Sequence, residues 1–383
     1  MATKIQGAFA SFTLINDDFH YFKNMNPLRV FFQSIAVLTT YNVDLTRALS
    51  KLGIDVYIDA ESNLARLMLL RAKLFTDYEP HLKFLSIIHK LVRKKHLKGL
   101  IERFDLLHLN SLSDFSLRVM KLSDKPKVFV LHTAPFTKGT YEEIKDYIDV
   151  FIAPSEFTAE EESSKLGFKP IVIHHGVDTT LFNTSISRSI AREYFKMPIK
   201  AKVVLWNDRI SPEKDLETFL KSIPLIEREV SNVYFYIKMR AKNKEYFMEI
   251  KDLLKSVKRK NNVRIHIGWV THEELPYLYR SADVFVRTSL YESFGLGFVE
   301  AMACGTPVVA SNIPIASEVL NGVGLLFDPR DPEELADRVI TLLNDDTLRG
   351  ELSQAGIKRV KQNFTWEISA RKYLSIYKLL TDK

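Results

Sequence analysis

A single cysteine in 383 residues excludes an intrachain disulfide and a cysteine-based zinc site, and it suits a reducing compartment. Cys304 reads as a small core residue rather than a reactive thiol. No apolar run reaches the roughly 18 residues that a membrane-spanning helix requires. The apolar stretch GAFASFTLI near the N-terminus has only Lys4 before it and the acidic NDD after it, which does not fit a secretory signal. The expected location is therefore the cytoplasm. There is no internal repeat or low-complexity segment. No aromatic-interleaved RNA-binding pattern, helix-turn-helix or zinc spacing supports a nucleic-acid partner.

What is present is ordinary for a soluble globular chain, with 46% hydrophobic and 26% charged residues. The length exceeds what one core usually fills, so two domains are expected. A net charge of +7 and a pI near 9.1 favour anionic partners such as phosphate-bearing ligands or an acidic membrane surface. Residues 81–98, HLKFLSIIHKLVRKKHLK, place Leu82, Leu85, Ile88 and Val92 among Lys83, Lys90, Arg93, Lys94, Lys95 and Lys98. This predicts a surface helix with one face on the first domain's core. Peripheral docking on the inner face of an anionic membrane is the alternative.

Strand-like and helical stretches alternate along the whole chain. LRVFFQSIAV, the helical VDLTRALSKLG and IDVYIDA form a strand, helix, strand unit of the kind that pairs in parallel. FDLLHL, PKVFVLH, IDVFIAP and KPIVIHHG complete a first doubly wound domain near Asp178, and Thr179 to Ser189 is a polar linker. The alternation restarts with KVVLWN, VYFYIKM, RIHIGWV, ADVFVRT, TPVVAS and GLLFDP. Ligands of such sheets sit beyond the carboxyl ends of the strands, so a cleft between the domains is the expected site.

The segment YESFGLGFVEAMACGTPVVAS, residues 291–311, concentrates the chemistry. A strand ends near Thr288, a tight turn follows, and a helix starts close to Gly295; Gly305 and Pro307 then stop it. The exposed N–H groups of that helix start form an anion site, which Gly295 and Gly297 leave sterically open. Glu300 on the helix can accept hydrogen bonds from a ribose diol, and Glu292 lies on the other side of the same phosphate. Isolated acids at this spacing arise often by chance as a loop acid and an exposed helix acid. Their setting makes a nucleoside diphosphate carrying a polyhydroxyl group the better fit.

With these residues in place, the chain resembles the retaining glycosyltransferases of the two-domain GT-B fold, in the large group called family 4. The resemblance implies two Rossmann-like, doubly wound α/β domains facing an interdomain cleft, with a C-terminal helix crossing back to the first. The corresponding boundaries are 1–183 for the acceptor-side domain, 184–365 for the donor domain and 366–383 for the returning helix, with 1–24 an extension of unknown role. It also implies donor contacts along Ser293, Phe294, Gly295, Leu296, Gly297 and Glu300, with Glu292 on hydroxyls of the transferred sugar. In VVLWNDRISPEKDLETFLKSI, Arg209 and Lys214 match the diphosphate-binding pair. An Arg fork and a Lys point charge can stabilise a departing diphosphate. Gly268, Trp269 and Val270 match the segment whose backbone cradles the donor base, and His132 matches the active-site histidine, with His108 as structural support. The family usually has glycine where Asp208 and Asp215 stand. It usually has a glycine-rich loop where this chain has SIAVLTTYNVDL, and a Gly-x-Gly turn after the strand matching VYFYIKMRAKN.

The function so implied is retaining transfer of a sugar from a nucleoside diphosphate sugar to an acceptor hydroxyl on a glycan, a lipid-linked sugar or a protein. No Asp-x-Asp or histidine cluster at metal-ligand spacing adjoins the phosphate site. Transfer without a metal or other cofactor is therefore expected. The alternatives are a catalytically silent sugar-nucleotide-binding subunit, and a sugar-nucleotide epimerase or a phosphorylase on the same fold.

Overall fold

The computed structural model describes residues 28–33, 39–59, 82–85, 98–99, 101–132, 137–241 and 243–382. The chain divides into two compact units, one running to Gly176 and taking up Trp366–Lys383, the other spanning Val177–Thr365. Val177 lies with the second unit because it bridges Thr365.

In the first unit, the elements run β1 (Arg29–Gln33), α1 (Thr39–Lys51), β2 (Asp55–Asp59), β3 (Leu82–Leu85), β4 (Leu106–Leu109), α2 (Asp114–Leu122), β5 (Lys127–Val130), α3 (Lys138–Ile144), β6 (Val150–Ala153), α4 (Glu156–Leu166) and β7 (Ile171–Val172). They form a parallel sheet in the order β3-β2-β1-β4-β5-β6-β7. Every residue of β4, β5 and β6 is buried. That is the reason these strands read as apolar runs without alternation: helices cover both faces of a parallel sheet. Ser155 accepts from the Thr158 N–H to open α4, and Gly167 closes it at a φ of 80°.

The second unit repeats the plan with α5 (Arg188–Tyr194), β8 (Lys202–Ile210), α6 (Leu216–Glu229), β9 (Val233–Ala241), α7 (Lys244–Glu249), α8 (Lys251–Lys258), β10 (Val263–Ile267), α9 (Leu275–Ser281), β11 (Val284–Arg287), α10 (Leu296–Ala303), β12 (Val308–Ser311), α11 (Pro314–Leu320), β13 (Leu325–Phe327), α12 (Pro332–Asn344) and α13 (Asp346–Asn363). Its parallel sheet has the order β10-β9-β8-β11-β12-β13. A core of Trp206, Phe219, Phe235, Val284, Val339 and their neighbours packs one face of it. The last helix, α14 (Trp366–Thr381), belongs to the first unit. There it lies against α1 and β4 and buries Trp366, Tyr373 and Tyr377.

Each unit is thus a doubly wound α/β sheet, as expected. One expectation is corrected. Leu82–Leu85, read as the first turn of a basic amphipathic helix, is strand β3, paired in parallel with β2. An edge strand needs only a short run with one partner, and LKFL meets that as readily as it meets a helical period. Residues 86–97, the 1–24 extension and positions 34–38 of the glycine-free loop lie outside the described residues; from Thr39 that loop is already helix α1.

Candidate functional site

The order of the second sheet reverses between β8 and β11, so the connections leaving these neighbouring strands run to opposite sides. The carboxyl ends flanking such a switch point frame a crevice for a ligand. Asp208, Arg209 and Lys214 come from the end of β8 and the turn after it. Arg287 ends β11, and Glu292 and Gly295 follow in the turn to α10.

These side chains are tied together. Glu292, 8% exposed, gathers three donors on its Oε1: Lys214 Nζ at 2.5 Å, Arg287 through Nε at 2.9 Å and Nη2 at 2.5 Å, and Ser289 Oγ at 2.8 Å. Burial pushes the carboxyl up, but the Arg287 and Lys214 charges outweigh it and hold its pKa at about 2. On Arg287, burial works against the charged form, and Asp208 and Glu292 raise its pKa nonetheless. Asp208 Oδ2 stands 2.8 Å from Arg287 Nη2 and 3.5 Å from Lys214 Nζ, and its Oδ1 accepts from the Arg209 N–H at 2.6 Å. Arg209 is 30% exposed on its side chain and donates to Glu213 at 2.9 Å. Its Nε is buried with no hydrogen-bond partner.

Helix α10 starts at Gly295, at a φ of 79° and with no side chain capping its first N–H groups. A Cβ at Gly295 would stand 2.5 Å from the Phe298 ring, and one at Gly297 would stand 2.9 Å from Arg287 Nη1. Both glycines therefore make room for the protein's own side chains. Glu300, expected as an exposed helix acid if it had no role, is buried and accepts from the Tyr279 hydroxyl at 2.8 Å, which in turn accepts from Asn207 Nδ2 at 3.3 Å. Leu296 and Ser293 are half-buried. Phe294 is buried edge-on against Phe364, so it anchors the turn. In the loop after β10, Val270 is buried, while Trp269 is 59% exposed with the guanidinium of Arg240, on β9, 4.4 Å from its ring centroid. Asp215, where the resemblance leads one to expect glycine, takes a φ of 42°, and its carboxylate accepts from Thr218 Oγ1. The backbone there keeps the conformation that glycine favours, at some cost in strain.

His132 belongs to the first unit, just past the end of β5, and is 5% exposed. Its Nε2 lies 2.9 Å from Asn110 Oδ1, and its Nδ1 lies 3.3 Å from His175 Nε2. His108 Nε2 lies 2.9 Å from the same Asn110 oxygen, and its Nδ1 lies 2.5 Å from the Tyr377 hydroxyl. A carboxamide oxygen only accepts, so both imidazoles carry their proton on Nε2. His132 Nδ1 then accepts from His175, and His108 Nδ1 accepts from Tyr377. Burial lowers His108 and His175 to about 3, and it takes His132 well below 6.5 with help from its two histidine neighbours. All three are neutral at physiological pH.

Sequence reasoning missed Arg287, Tyr279, Asn110 and His175. Arg287 carried a signal, as the lone charge ending an apolar strand in ADVFVRT. The others owe their roles to contacts between distant segments.

Comparison with known proteins gives concordant results. The family described as "Glycosyl transferases group 1" matches residues 188–359, and "Glycosyltransferase Family 4" matches residues 38–181. A phosphatidyl-myo-inositol mannosyltransferase of Mycobacterium leprae is 28% identical over 77% of this chain and 78% of its own length. An O-antigen chain mannosyltransferase B of Escherichia coli is 42% identical, over only 30% of each chain. A lipopolysaccharide core biosynthesis mannosyltransferase of Rhizobium meliloti is 26% identical over 79% of this chain and 85% of its own. Among solved structures, a glycosyltransferase from Rickettsia africae superposes with a TM-score of 0.76 at 18% identity, covering 93% of this chain and 99% of that one. The Anabaena HepE protein in complex with UDP and glucose superposes with a TM-score of 0.74 at 19% identity, covering 92% and 100%.

Proposed function

Because this chain belongs to the glycosyl transferases group 1, on the GT-B fold of family 4, we propose that it transfers a hexosyl group from a nucleoside diphosphate sugar to an acceptor hydroxyl, with retention of configuration. The observation that carries this is the set of cations at the switch point of the second sheet: Lys214 and Arg287 gathered on Glu292, and Arg209, with its buried unpartnered Nε, on the strand end that leads to Lys214. As the sugar departs with oxocarbenium character, charge accumulates on the diphosphate, and fixed cations lower the barrier by meeting it there. The uncapped N-terminus of α10 adds N–H donors of the same polarity. These groups perform the task that a divalent ion performs elsewhere, so turnover needs no added metal; full activity in EDTA is the expected result.

Glu300 holds the ribose and Glu292 the hydroxyls of the transferred sugar. The three donors on Glu292 converge on Oε1, which orients the carboxylate for that contact. His132 is neutral with both ring nitrogens engaged, so its part is to shape and orient rather than to transfer a proton. Mannosyltransferase names among the relatives favour mannose as the sugar. Two of those names refer to a phosphatidyl lipid and to lipopolysaccharide, which favours a lipid-linked acceptor. Lys90, Arg93, Lys94, Lys95 and Lys98 suit peripheral contact with an anionic membrane.

The test is calorimetric titration, without metal, of UDP, GDP, ADP and their glucose, mannose and N-acetylglucosamine conjugates into wild type and Arg209→Ala. One base should bind selectively, and Arg209→Ala should weaken it by roughly 10- to 100-fold, as expected for loss of a charge-assisted contact. Absence of binding by every compound would overturn the donor site, and selective binding with neither transfer nor donor hydrolysis would favour the silent-subunit alternative. The anomeric configuration of the product, read by NMR, decides between retention and inversion.

A further inference from the structure

The anionic side of the cluster is divided between two carboxylates that are held very differently. Glu292 receives directed hydrogen bonds from Lys214, Arg287 and Ser289. Asp208 Oδ2 is buried, 2.8 Å from Arg287 Nη2 and 3.5 Å from Lys214 Nζ, yet no hydrogen bond is directed at it. Arg287 already spends Nε and Nη2 on Glu292, so Asp208 is attracted by charge without being gripped. With both acids in place, Lys214 and Arg287 are fully neutralised by Asp208 and Glu292, and Arg209 is paired with Glu213. A site meant for a dianionic or trianionic phosphate group is therefore self-compensated.

We propose that the Asp208 carboxylate is an internal stand-in for donor phosphate, one that neutralises Lys214 and Arg287 while the site is empty and gives way when a diphosphate binds. Asp208 is then a specificity-determining residue. It holds the affinity for the diphosphate below what the cations alone would provide, and it keeps simple anions off them. Of the two acids it is the one that yields, because a ligand oxygen replacing Oδ2 breaks no directed hydrogen bond there, whereas replacing Glu292 Oε1 breaks several. Its backbone-facing oxygen, Oδ1 on the Arg209 N–H, provides the pivot about which the carboxylate can turn. A residue whose purpose was only to anchor Arg287 would duplicate Glu292 with poorer geometry.

This role depends on the diphosphate reading above, and one experiment separates the two. Inorganic pyrophosphate and the preferred nucleoside diphosphate are titrated calorimetrically into wild type, Asp208→Asn, Asp208→Glu, Asp208→Gly and Arg209→Ala, with melting temperatures measured alongside. Asp208→Asn removes the charge with little change of shape, and both ligands should bind about tenfold more tightly, a modest gain for removing one nearby like charge. Asp208→Gly should show the same gain and serves if the Asn variant is unstable. Asp208→Glu keeps the charge and should show none. Weakened binding in Arg209→Ala together with unchanged or weaker binding in both Asp208→Asn and Asp208→Gly overturns the stand-in role while leaving the diphosphate site intact. Equal gains in Asp208→Glu and Asp208→Asn overturn it too, since packing and not charge would then be responsible. Binding by the Asn and Gly variants where wild type binds nothing measurable supports it, and binding by no variant overturns both.

Discussion

At Gly297 a methyl group would stand 2.9 Å from Arg287 Nη1 and 3.4 Å from the Tyr279 hydroxyl. Arg287 is pinned by Glu292 and Tyr279 by Glu300, so neither can move aside freely. Gly297→Ala is expected to cost about 1–3 kcal/mol of stability through overpacking. It should also weaken donor binding, because the guanidinium that shifts belongs to the site. A melting curve and a donor titration on the same preparation check both. Glu292→Gln leaves Lys214 and Arg287 with Asp208 as their only carboxylate, and breaking a buried pair in this way costs about 3–5 kcal/mol. Unchanged turnover and unchanged donor binding in Glu292→Gln would show that Glu292 does not contact the sugar.

Helix α14 packs the end of the chain onto α1 and β4 of the first unit. It brings the Tyr377 hydroxyl to His108 Nδ1, so the series His175, His132, Asn110, His108 ends on the last helix of the chain. Tyr377→Phe keeps the ring packing and strands a buried imidazole nitrogen, at a cost of about 1–3 kcal/mol. Chemical denaturation should register that loss, and nitrogen NMR of the imidazoles should show the His108 Nδ1 resonance moving as it loses its donor, while His108 and His132, both still facing Asn110, keep their proton on Nε2. A chain truncated after Thr365 loses the Trp366, Tyr373 and Tyr377 side chains that α14 buries. Such a chain should not hold the first unit folded, as near-ultraviolet circular dichroism would report.

Across the whole molecule, acid should act on the two units in different windows. In the first unit, His108 and His175 fall from 6.5 to about 3 on folding, and His132 falls well below 6.5. The unfolded chain therefore takes up protons that the folded chain refuses. The stability from these neutral histidines is complete above about pH 6.5 and is lost as pH drops towards 3. In the second unit, Glu292 falls from 4.5 to about 2. Its contribution is intact above 4.5 and is lost between there and 2. Melting followed through Trp366, packed near His175 in a variant lacking Trp206 and Trp269, should decline first as pH is lowered. A Trp366 signal that stays constant from pH 7 to pH 4 would contradict the histidine series.

Sequence alone determined the two α/β repeats, because strands buried on both faces of a parallel sheet are nearly continuous apolar runs, and VFIA is one throughout while KVFV and VVAS depart from it only at a terminal residue. It also located the helix start at Gly295 and its stop at Gly305, since positive φ at 79° and 69° writes itself as glycine. Lys214 follows β8 in a turn, as the sequence placed it, whereas Arg209, read as just past the strand, is the penultimate residue of the strand itself. Four residues of apolar and basic sequence could not decide between helix and edge strand at Leu82–Leu85, because the hydrogen bonds that settle it come from β2. Nor could any local pattern show that Arg287 ties Glu292 to Asp208, or that Asn110 joins two histidines to a tyrosine 269 residues beyond the first of them. Backbone conformation and burial on a sheet face leave periodic or compositional traces along the chain, whereas the balance of charge in a site arises from segments that only folding brings together.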